Sequence, residues 1–267
     1  MSAIMNTHRA FSALLCAGVL MGCSVGDKKV QSITAPPPAT SRIRFFNFGV
    51  NAPSVNFYAD ATKMTATQST TGVEATSGVS YGGVGAGGAY EAIAPGQHAL
   101  TGNIAAATDK DLAIANVAAN IEDGKFYSFY LSGIYNTTTK KSDAFVVEDN
   151  FTQPTDFTQA SVRFVNAISN ANPMTLYAKN TTTATETAIG AETAYKGAGA
   201  YVSIPAGTYD LSTRYTGSST NALARTSVPF AGGRVYTITA RGDITVAPTT
   251  TGCAAANKTC LDNTTNW

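Results

Sequence analysis

Residues 42–59 (RIRFFNFGVNAPSVNFYA) occur a second time, in altered form, as residues 161–178 (SVRFVNAISNANPMTLYA). Matched residues of this opening block, such as Arg44 and Arg163, lie 119 positions apart. Later blocks repeat in the same order, 90–96 matching 201–207 and 124–127 matching 233–236. Self-similarity in a fixed order predicts two tandem domains built on one plan.

Both copies have the pattern of short strands separated by turns. In the second copy, strands are predicted at residues 161–166, 175–178, 199–204, 207–215, 225–230 and 235–244. Pro, Gly and Asn lie between them, and strands at roughly ten-residue spacing are typical of an antiparallel sandwich or barrel. The sequence therefore predicts an all-β fold of two tandem antiparallel β-sandwich (Ig-like) domains.

The repeat and its flanking composition also predict the domain boundaries. The expected segments are a signal peptide at 1–22, a Pro-rich tether at 23–40, the first sandwich at 41–150, a linker at 151–160, the second sandwich at 161–246 and a Thr-rich tail at 247–267. Residues 112–121 (LAIANVAANI) could form a helix because of their alanines. Since they lie inside a β repeat, we expect a strand.

The N-terminus has the features of a targeting segment. Residues 10–21 form an apolar run that is too short to span a bilayer as a permanent helix. The run ends in Leu20-Met21-Gly22-Cys23, which resembles the bacterial lipobox. The resemblance implies cleavage before Cys23, attachment of diacylglycerol to its sulfur and acylation of its new amino group. An ordinary secretory signal with an incidental cysteine is the alternative.

Ser24, rather than Asp, follows the cysteine that would carry the lipid. By the sorting habit of Gram-negative lipoproteins, this residue implies the outer membrane, without indicating which side the protein faces. Several acyl chains would anchor the protein durably, at about 0.8 kcal/mol for each buried methylene group. The membrane is thus the first expected partner.

The remaining cysteines fit an exported protein. Cys16 would be removed with the signal and Cys23 would take the lipid, which leaves Cys253 and Cys260 near the C-terminus. An oxidising compartment would let these two form a disulfide. A metal site is not predicted, because no third or fourth soft ligand lies nearby.

Charge and motif content argue against two common functions. The chain has 18 basic and 17 acidic residues, a balance that leaves no electrostatic footprint for nucleic acid. Residues 81–90 contain five glycines, but no helix pattern follows them and no Lys-Ser/Thr closes them. A phosphate-binding loop is therefore rejected in favour of a turn between strands, and no cofactor is expected.

The residues that a catalytic site would need are scarce in this sequence. His98 is the only histidine after Cys23, no G-x-S-x-G motif is present, and the second copy has Tyr209 in the matching place. The acid pairs, such as Glu148 and Asp149, lie in predicted turns, where solvated charge is the ordinary explanation and calcium binding the alternative. We therefore predict that the protein is not an enzyme.

Two sets of residues leave a binding function open. Some of Tyr58, Tyr81, Tyr90, Tyr127 and Tyr130 could lie on a solvent face and stack on sugars or proteins, although most such rings form sandwich core or cover. The matched arginines of the two first strands could bind an anion. Structural hydrogen bonds are the favoured interpretation, because both copies have the arginine at the same place.

Motifs in both copies resemble a known family. The second copy contains VRFVNA at 162–167, YVSIPAGTY at 201–209 and GRVYTITARG at 233–242, and the first contains NAPSVNFY at 51–58. This set resembles the domain-of-unknown-function family 4397. The first copy departs at 94–98, where APGQH replaces the usual Pro-Ala-Gly-x-Tyr.

The resemblance implies a β-sandwich of extracytoplasmic bacterial proteins that are often tandem and often lipidated. It implies no activity, so no functional residue is carried over. We therefore expect a non-enzymatic cell-envelope lipoprotein that contacts envelope glycan or protein in adhesion or assembly. A hydrolase whose site is not visible in the sequence is the alternative, and a periplasmic small-ligand carrier is a third hypothesis.

Overall fold

A computed structural model describes residues 40–65, 77–250, 253 and 258–267. The described residues belong to one compact unit that runs from Ala39 to Trp267. The first half contains β1 (Arg42–Asn47), β2 (Val55–Ala59), β3 (Thr62–Lys63), β4 (Gly83–Val84), β5 (Glu91–Ala92), β6 (Gly96–Ile104), β7 (Ala113–Ile121), β8 (Phe126–Asn136) and β9 (Lys141–Glu148). The second half contains β10 (Gln159–Asn166), β11 (Met174–Asn180), β12 (Glu186–Thr193), β13 (Val202–Pro205), β14 (Gly207–Tyr215), β15 (Leu223–Phe230), β16 (Val235–Arg241) and β17 (Cys260–Thr265).

Each half is a sandwich of two sheets. The outer sheets have the strand orders β3-β2-β6-β7 and β12-β11-β14-β15. The inner sheets have the orders β4-β1-β8-β9, with β5 also paired to β1, and β13-β10-β16-β17. The all-β fold of two sandwich-like halves is therefore confirmed.

The pairing inside the inner sheets is mixed rather than purely antiparallel. β1 pairs parallel with β8, and β10 pairs parallel with β16, while the other ladders between named strands are antiparallel. A parallel neighbour requires a crossover connection. Here the chain leaves the inner sheet after β1 or β10 and adds flanking strands to it (β4 and β5, or β13). It returns to the centre only as β8 or β16, so the two central strands run in the same direction.

Alternation along the strands builds one core within each half. In β1, Ile43 and Phe45 are buried in the first core, and in β10, Val162 and Phe164 are buried in the second. Successive side chains point to opposite faces of a strand. Consequently Arg44 and Phe46 of β1, and their matches in β10, point away from both cores.

The two inner sheets pack against each other through those opposite faces. A third buried cluster joins Phe46, Tyr130 and Phe145 of the first half to Val165 and Ala167 of the second. Phe46 and Tyr130 stack with ring centroids 4.8 Å apart. The halves are thus joined by a mixed aromatic and polar interface between sheets.

The strand predictions for two segments had different outcomes. The expected strand at 112–121 is present as β7, which pairs along its length with β6. β12 was not predicted, because its sequence ETAIGAET has few of the β-branched and aromatic residues that favour strands.

The C-terminal segment belongs to the second sandwich. Residues 247–267, predicted to be a separate Thr-rich tail, supply β17, the edge strand paired antiparallel with β16. The predicted disulfide between Cys253 and Cys260 is confirmed, and it attaches the preceding loop to this strand.

The predicted signal peptide at 1–22, the lipidation site Cys23 and almost all of the tether at 23–40 lie outside the described residues. Within the part of the chain that the structure describes, no helix is long and apolar enough to cross a membrane.

Candidate functional site: the arginine network between the inner sheets

Two buried arginines lie at matched positions between the inner sheets. Arg44 is 1% exposed and Arg163 is 2% exposed, and each sits on the first strand of its half. Each also donates a hydrogen bond from Nη1 to a backbone carbonyl of the other half. Arg44 donates to Thr265 and Arg163 to Glu148, both at 2.9 Å. The two halves therefore exchange equivalent contacts.

Arg163 has acceptors for all the donor nitrogens of its guanidinium group. Nε donates to Thr237 Oγ1 at 3.0 Å, and Nη2 forms an ion pair with Asp149. Its Cζ lies 4.9 Å from the ring centroid of Tyr201. Burial, the largest single influence, lowers the pKa of Arg163, but the Asp149 carboxylate together with Tyr201 and Tyr130 outweighs it, so the pKa is raised.

Asp149 is the centre of the network. It is 2% exposed, and besides Arg163 it accepts hydrogen bonds from Ser128 Oγ and Tyr90 Oη, both at 2.6 Å. Burial and the adjacent carboxylate raise the pKa of the Tyr90 hydroxyl far above its usual value. The interpretation of Asp149 as a solvated turn charge is therefore wrong, because the packing of the second half buries it.

Arg44 lacks the acceptors that its match has. Its Cζ lies 3.9 Å from the ring centroid of Tyr90, and Nη1 also reaches the carbonyl of Gly88 at 3.4 Å. Nε and Nη2 are buried, and among the described residues neither has a hydrogen-bond partner. These are the same two nitrogens that Thr237 and Asp149 satisfy in Arg163.

The register of the last strand in each half explains this difference. Glu148 pairs with Tyr127, and Thr265 pairs with Tyr236, the match of Tyr127 in the second copy. The residue that follows each strand is therefore Asp149 in the first half and Asn266 in the second. An amide thus stands where the symmetric arrangement would place a second carboxylate.

Asn266 joins the network but brings no charge. Its Nδ2 donates to Tyr90 Oη at 2.9 Å, and its Oδ1 accepts from Thr237 Oγ1 at 2.8 Å. The network consequently contains two buried guanidinium groups and one buried carboxylate. Burying a charge is costly unless it is paired, so the charge on Arg44 is the unbalanced part of the interface.

An open cavity lies beside each arginine. The Arg44 cavity has a volume of about 330 Å³ and includes Gly88 and Thr265 in its lining. The Arg163 cavity has a volume of about 570 Å³ and includes the matched residues Gly199 and Glu148. The duplication has therefore produced cavities at equivalent places beside the two arginines, and only Arg163 has a carboxylate partner.

His98 has a role that its match in the second copy shares. Its Nε2 lies 2.8 Å from the carbonyl of Ala94, four residues earlier, and Nδ1 lies 2.7 Å from Asp60. Tyr209 donates its hydroxyl to the carbonyl of Pro205, also four residues earlier, at 2.6 Å. Each side chain fastens the turn that leads into its strand, β6 or β14.

The five candidate tyrosines are mostly in structural positions. Tyr127 and Tyr130 are buried, while Tyr58, Tyr81 and Tyr90 are half-buried. Among the described residues, no group of three or more His, Cys, Asp or Glu side chains could hold a metal ion. Two of the five tyrosines are therefore core residues, and none of the five is fully exposed.

Sequence reasoning identified the two arginines but missed the residues that distinguish them. Asp149 and Asn266 lie just beyond the last strand of each copy, in segments assigned to a turn and a tail. Aligning the C-terminal ends of the two copies, rather than their first strands, would have matched these two residues.

Comparison with protein families identifies this chain as a member of one. The model of the domain of unknown function DUF4397 matches residues 41–177 and 160–259, two overlapping segments that together cover most of the sequence. The chain therefore belongs to the DUF4397 family. Comparison with curated proteins gives no match.

Among solved structures, the chain is similar to the Bacillus anthracis TIE protein. The identity is 14%, the TM-score is 0.23, and the match covers 74% of this chain and 32% of that one. This chain thus matches about a third of the length of that protein.

Proposed function

We propose that this chain is a non-enzymatic, lipid-anchored protein of the bacterial cell envelope that acts as a structural or binding module. Its contacts would be with envelope glycan or protein, in adhesion or assembly. The observation that carries the non-enzymatic part is the position of His98. The residue on which a Ser-His-Asp site would depend is held by Asp60 and the carbonyl of Ala94, and Tyr209 makes the same turn contact in the second half.

The sequence supports the anchoring part of the proposal. Leu20-Met21-Gly22-Cys23 resembles a lipobox, and the polar, Pro-rich residues 24–40 suit an extended tether. Ser24 supports the outer membrane of a Gram-negative bacterium as the destination. A disulfide between Cys253 and Cys260 fits an oxidising compartment outside the cytoplasm.

Intact mass of the protein extracted from membranes tests the anchor. The proposal predicts a mass that begins at Cys23 with a diacyl or triacyl adduct, and loss of the adduct in Cys23→Ala. The variant Cys16→Ala is the matched control, because it changes the other cysteine of the N-terminal region. An unmodified Cys23 in a soluble protein would contradict the anchoring.

A second experiment separates the module from a hydrolase. The purified full-length protein is incubated with isolated cell envelopes, and mass spectrometry follows the release of soluble fragments. We expect binding to the envelope fraction without fragment release. Release that the wild type causes and His98→Ala does not would overturn the non-enzymatic proposal.

A further inference from the structure

We propose that one end of the fold rests on the membrane surface through Phe157 and Trp267. This aromatic end is where β1, β8, β10 and β16 begin and where β9 and β17 finish. In this arrangement the two rings lie in the interfacial layer of the bilayer. The inference rests on the anchoring proposed above and adds the orientation of the fold on its membrane.

The crossing arginine contacts place these strand ends together. β1 runs parallel to β8, β10 runs parallel to β16, and the last strand of each inner sheet runs the opposite way. Arg44 on β1 reaches the finish of β17 at Thr265, and Arg163 on β10 reaches the finish of β9 at Glu148. Both halves therefore contribute to the aromatic end.

Phe157 and Trp267 are the two most exposed large hydrophobic side chains among the described residues. Phe157 is 78% exposed and Trp267 is 49% exposed. They flank the turn between β15 and β16. The Phe157 ring packs on Gly233, where an added Cβ would lie 2.5 Å from it, and the Trp267 carbonyl accepts from Val235 N at 3.2 Å. Aromatic side chains favour the boundary between water and hydrocarbon.

The chain enters the described part of the fold at the same end. Thr40 Oγ1 accepts a hydrogen bond at 3.1 Å from the amide of Gly124, in the turn before β8. Residues 24–39 connect Thr40 to Cys23, the proposed lipid site. An extended chain spans at most about 3.6 Å per residue, so this connection keeps the aromatic end near the bilayer. A tether also raises the effective concentration of a weak contact.

The surroundings of the two rings suit a shallow contact. Small or apolar residues are exposed in the turns at this end: Ala94, Pro95, Pro205, Ala206 and Ala231. The exposed charges there have both signs, with Arg234 positive and Glu122, Asp123 and Asp156 negative. Since attraction to anionic lipid needs a cluster of basic residues, the contact should not depend on the fraction of anionic lipid.

The opposite end of the fold supplies the comparison. The other exposed large hydrophobic side chains of the described residues lie there, Leu112 just before β7 and Ile134 near the finish of β8. Both are aliphatic, and single exposed side chains of this kind are ordinary on protein surfaces. Ile134 is 45% exposed, close to the value for Trp267, and is therefore the matched control position.

The test uses the fluorescence of Trp267, which is the only tryptophan in the chain and needs no label. Full-length protein purified from membranes is reconstituted into vesicles of phosphatidylethanolamine and phosphatidylglycerol, with or without brominated acyl chains that quench tryptophan emission on contact. Flotation of the vesicles reports attachment. We expect attached protein with a blue-shifted emission that brominated lipid quenches, to the same extent at low and high phosphatidylglycerol content.

Variants assign the contact to the aromatic end. Phe157→Ser is expected to reduce the quenching, because it removes one of the two rings. Ile134→Ser, at the opposite end, is the control and should leave the quenching unchanged. The double variant Trp267→Phe with Ile134→Trp moves the probe to the opposite end, where brominated lipid should not quench it.

The outcomes separate this inference from the anchoring. Attached protein whose Trp267 emission is not quenched would overturn the orientation and leave the anchor in place, whereas protein that does not float would contradict both. Equal quenching of a tryptophan at position 134, or unchanged quenching in Phe157→Ser, would also overturn the orientation. A shift of Trp267 emission caused by isolated peptidoglycan and not by vesicles would assign the two rings to a glycan instead.

Discussion

Arg44 and Arg163 occupy matched positions on the central strands of the two inner sheets. Each donates a hydrogen bond from Nη1 to a carbonyl in the last strand of the other half. Arg163 has a buried carboxylate partner, Asp149, whereas Arg44 has the amide of Asn266 at the corresponding place. One half therefore contains a balanced ion pair, and the other contains a buried cation beside an open cavity.

This difference shows that duplication preserved the geometry of the interface more closely than its charge. The arginine, the tyrosine on which it packs and the crossing carbonyl contact occur in both halves. The carboxylate that pairs with the arginine, Asp149, has only an amide, Asn266, as its counterpart in the other half. A single difference at this position therefore changes the charge balance of the interface, while the crossing contacts are the same in both halves.

The largest expected effect comes from making the two halves alike. Asp149→Asn leaves both arginines buried without a carboxylate, and removal of one partner of a buried ion pair typically costs about 3 to 5 kcal/mol. The free energy of unfolding, measured with denaturant, should fall by about this amount. Asp143→Asn is the matched control, because Asp143 pairs with Lys196 at the surface and should cost under about 1 kcal/mol.

A second prediction concerns the disulfide, which only the second half has. Cys253→Ser opens a small loop before β17, and loop-closure entropy predicts a loss of about 2 kcal/mol. Since β17 carries the carbonyl that binds Arg44, hydrogen exchange should increase in β17 and not in β9, its counterpart. Equal changes in both strands would contradict this assignment.

A third prediction tests the matched turn contacts of Tyr209 and His98. Tyr209→Phe removes the donor to the carbonyl of Pro205 while keeping the ring, so the free energy of unfolding should fall by about 1 kcal/mol. Tyr215→Phe, on the same strand, is the control. An effect no larger than that of the control would show that the hydroxyl contact does not stabilise the turn.

The smallest expected effect is a pH dependence at Glu91, whose match in the second half is Val202. Burial raises the pKa of Glu91 from 4.5 to about 7. The folded state therefore keeps a proton that the unfolded state loses between these values, so stability falls as pH rises through this range and is constant above it.

Glu91→Gln should accordingly raise the free energy of unfolding at about pH 8, by on the order of 1 kcal/mol for a half-exposed group, and leave it unchanged at about pH 4. Chemical denaturation at the two pH values checks the sign. Glu122→Gln, at an exposed turn, is the control. A gain at acid pH instead would contradict the raised pKa of Glu91.

The sequence was sufficient to predict the all-β class and the two halves, because the strand spacing and the repeated blocks are visible in it. It also predicted the disulfide, because only two cysteines follow Cys23. It also predicted that Arg44 and Arg163 are equivalent. It could not predict the parallel pairing of β1 with β8, because that pairing depends on which sheet the intervening strands join.

The environment of the arginines was less accessible to sequence reasoning. Arg44 alternates with core residues in β1, a pattern that ordinarily indicates a solvent face, but Tyr90 and the last strand of the second half cover it. Asp149 and Asn266 differ in charge and lie 117 positions apart, rather than the 119 of the opening block. No single offset of the repeat therefore brings them into register.

A double-mutant cycle tests the asymmetry most directly. The free energy of unfolding is measured for Asp149→Asn, for Arg163→Met, for Arg44→Met and for the two double variants that contain Asp149→Asn. We predict a coupling energy of about 2 to 3 kcal/mol between Asp149 and Arg163, and less than about 1 kcal/mol between Asp149 and Arg44. Equal coupling to both arginines would contradict the account, because Asp149 would then balance the two charges together.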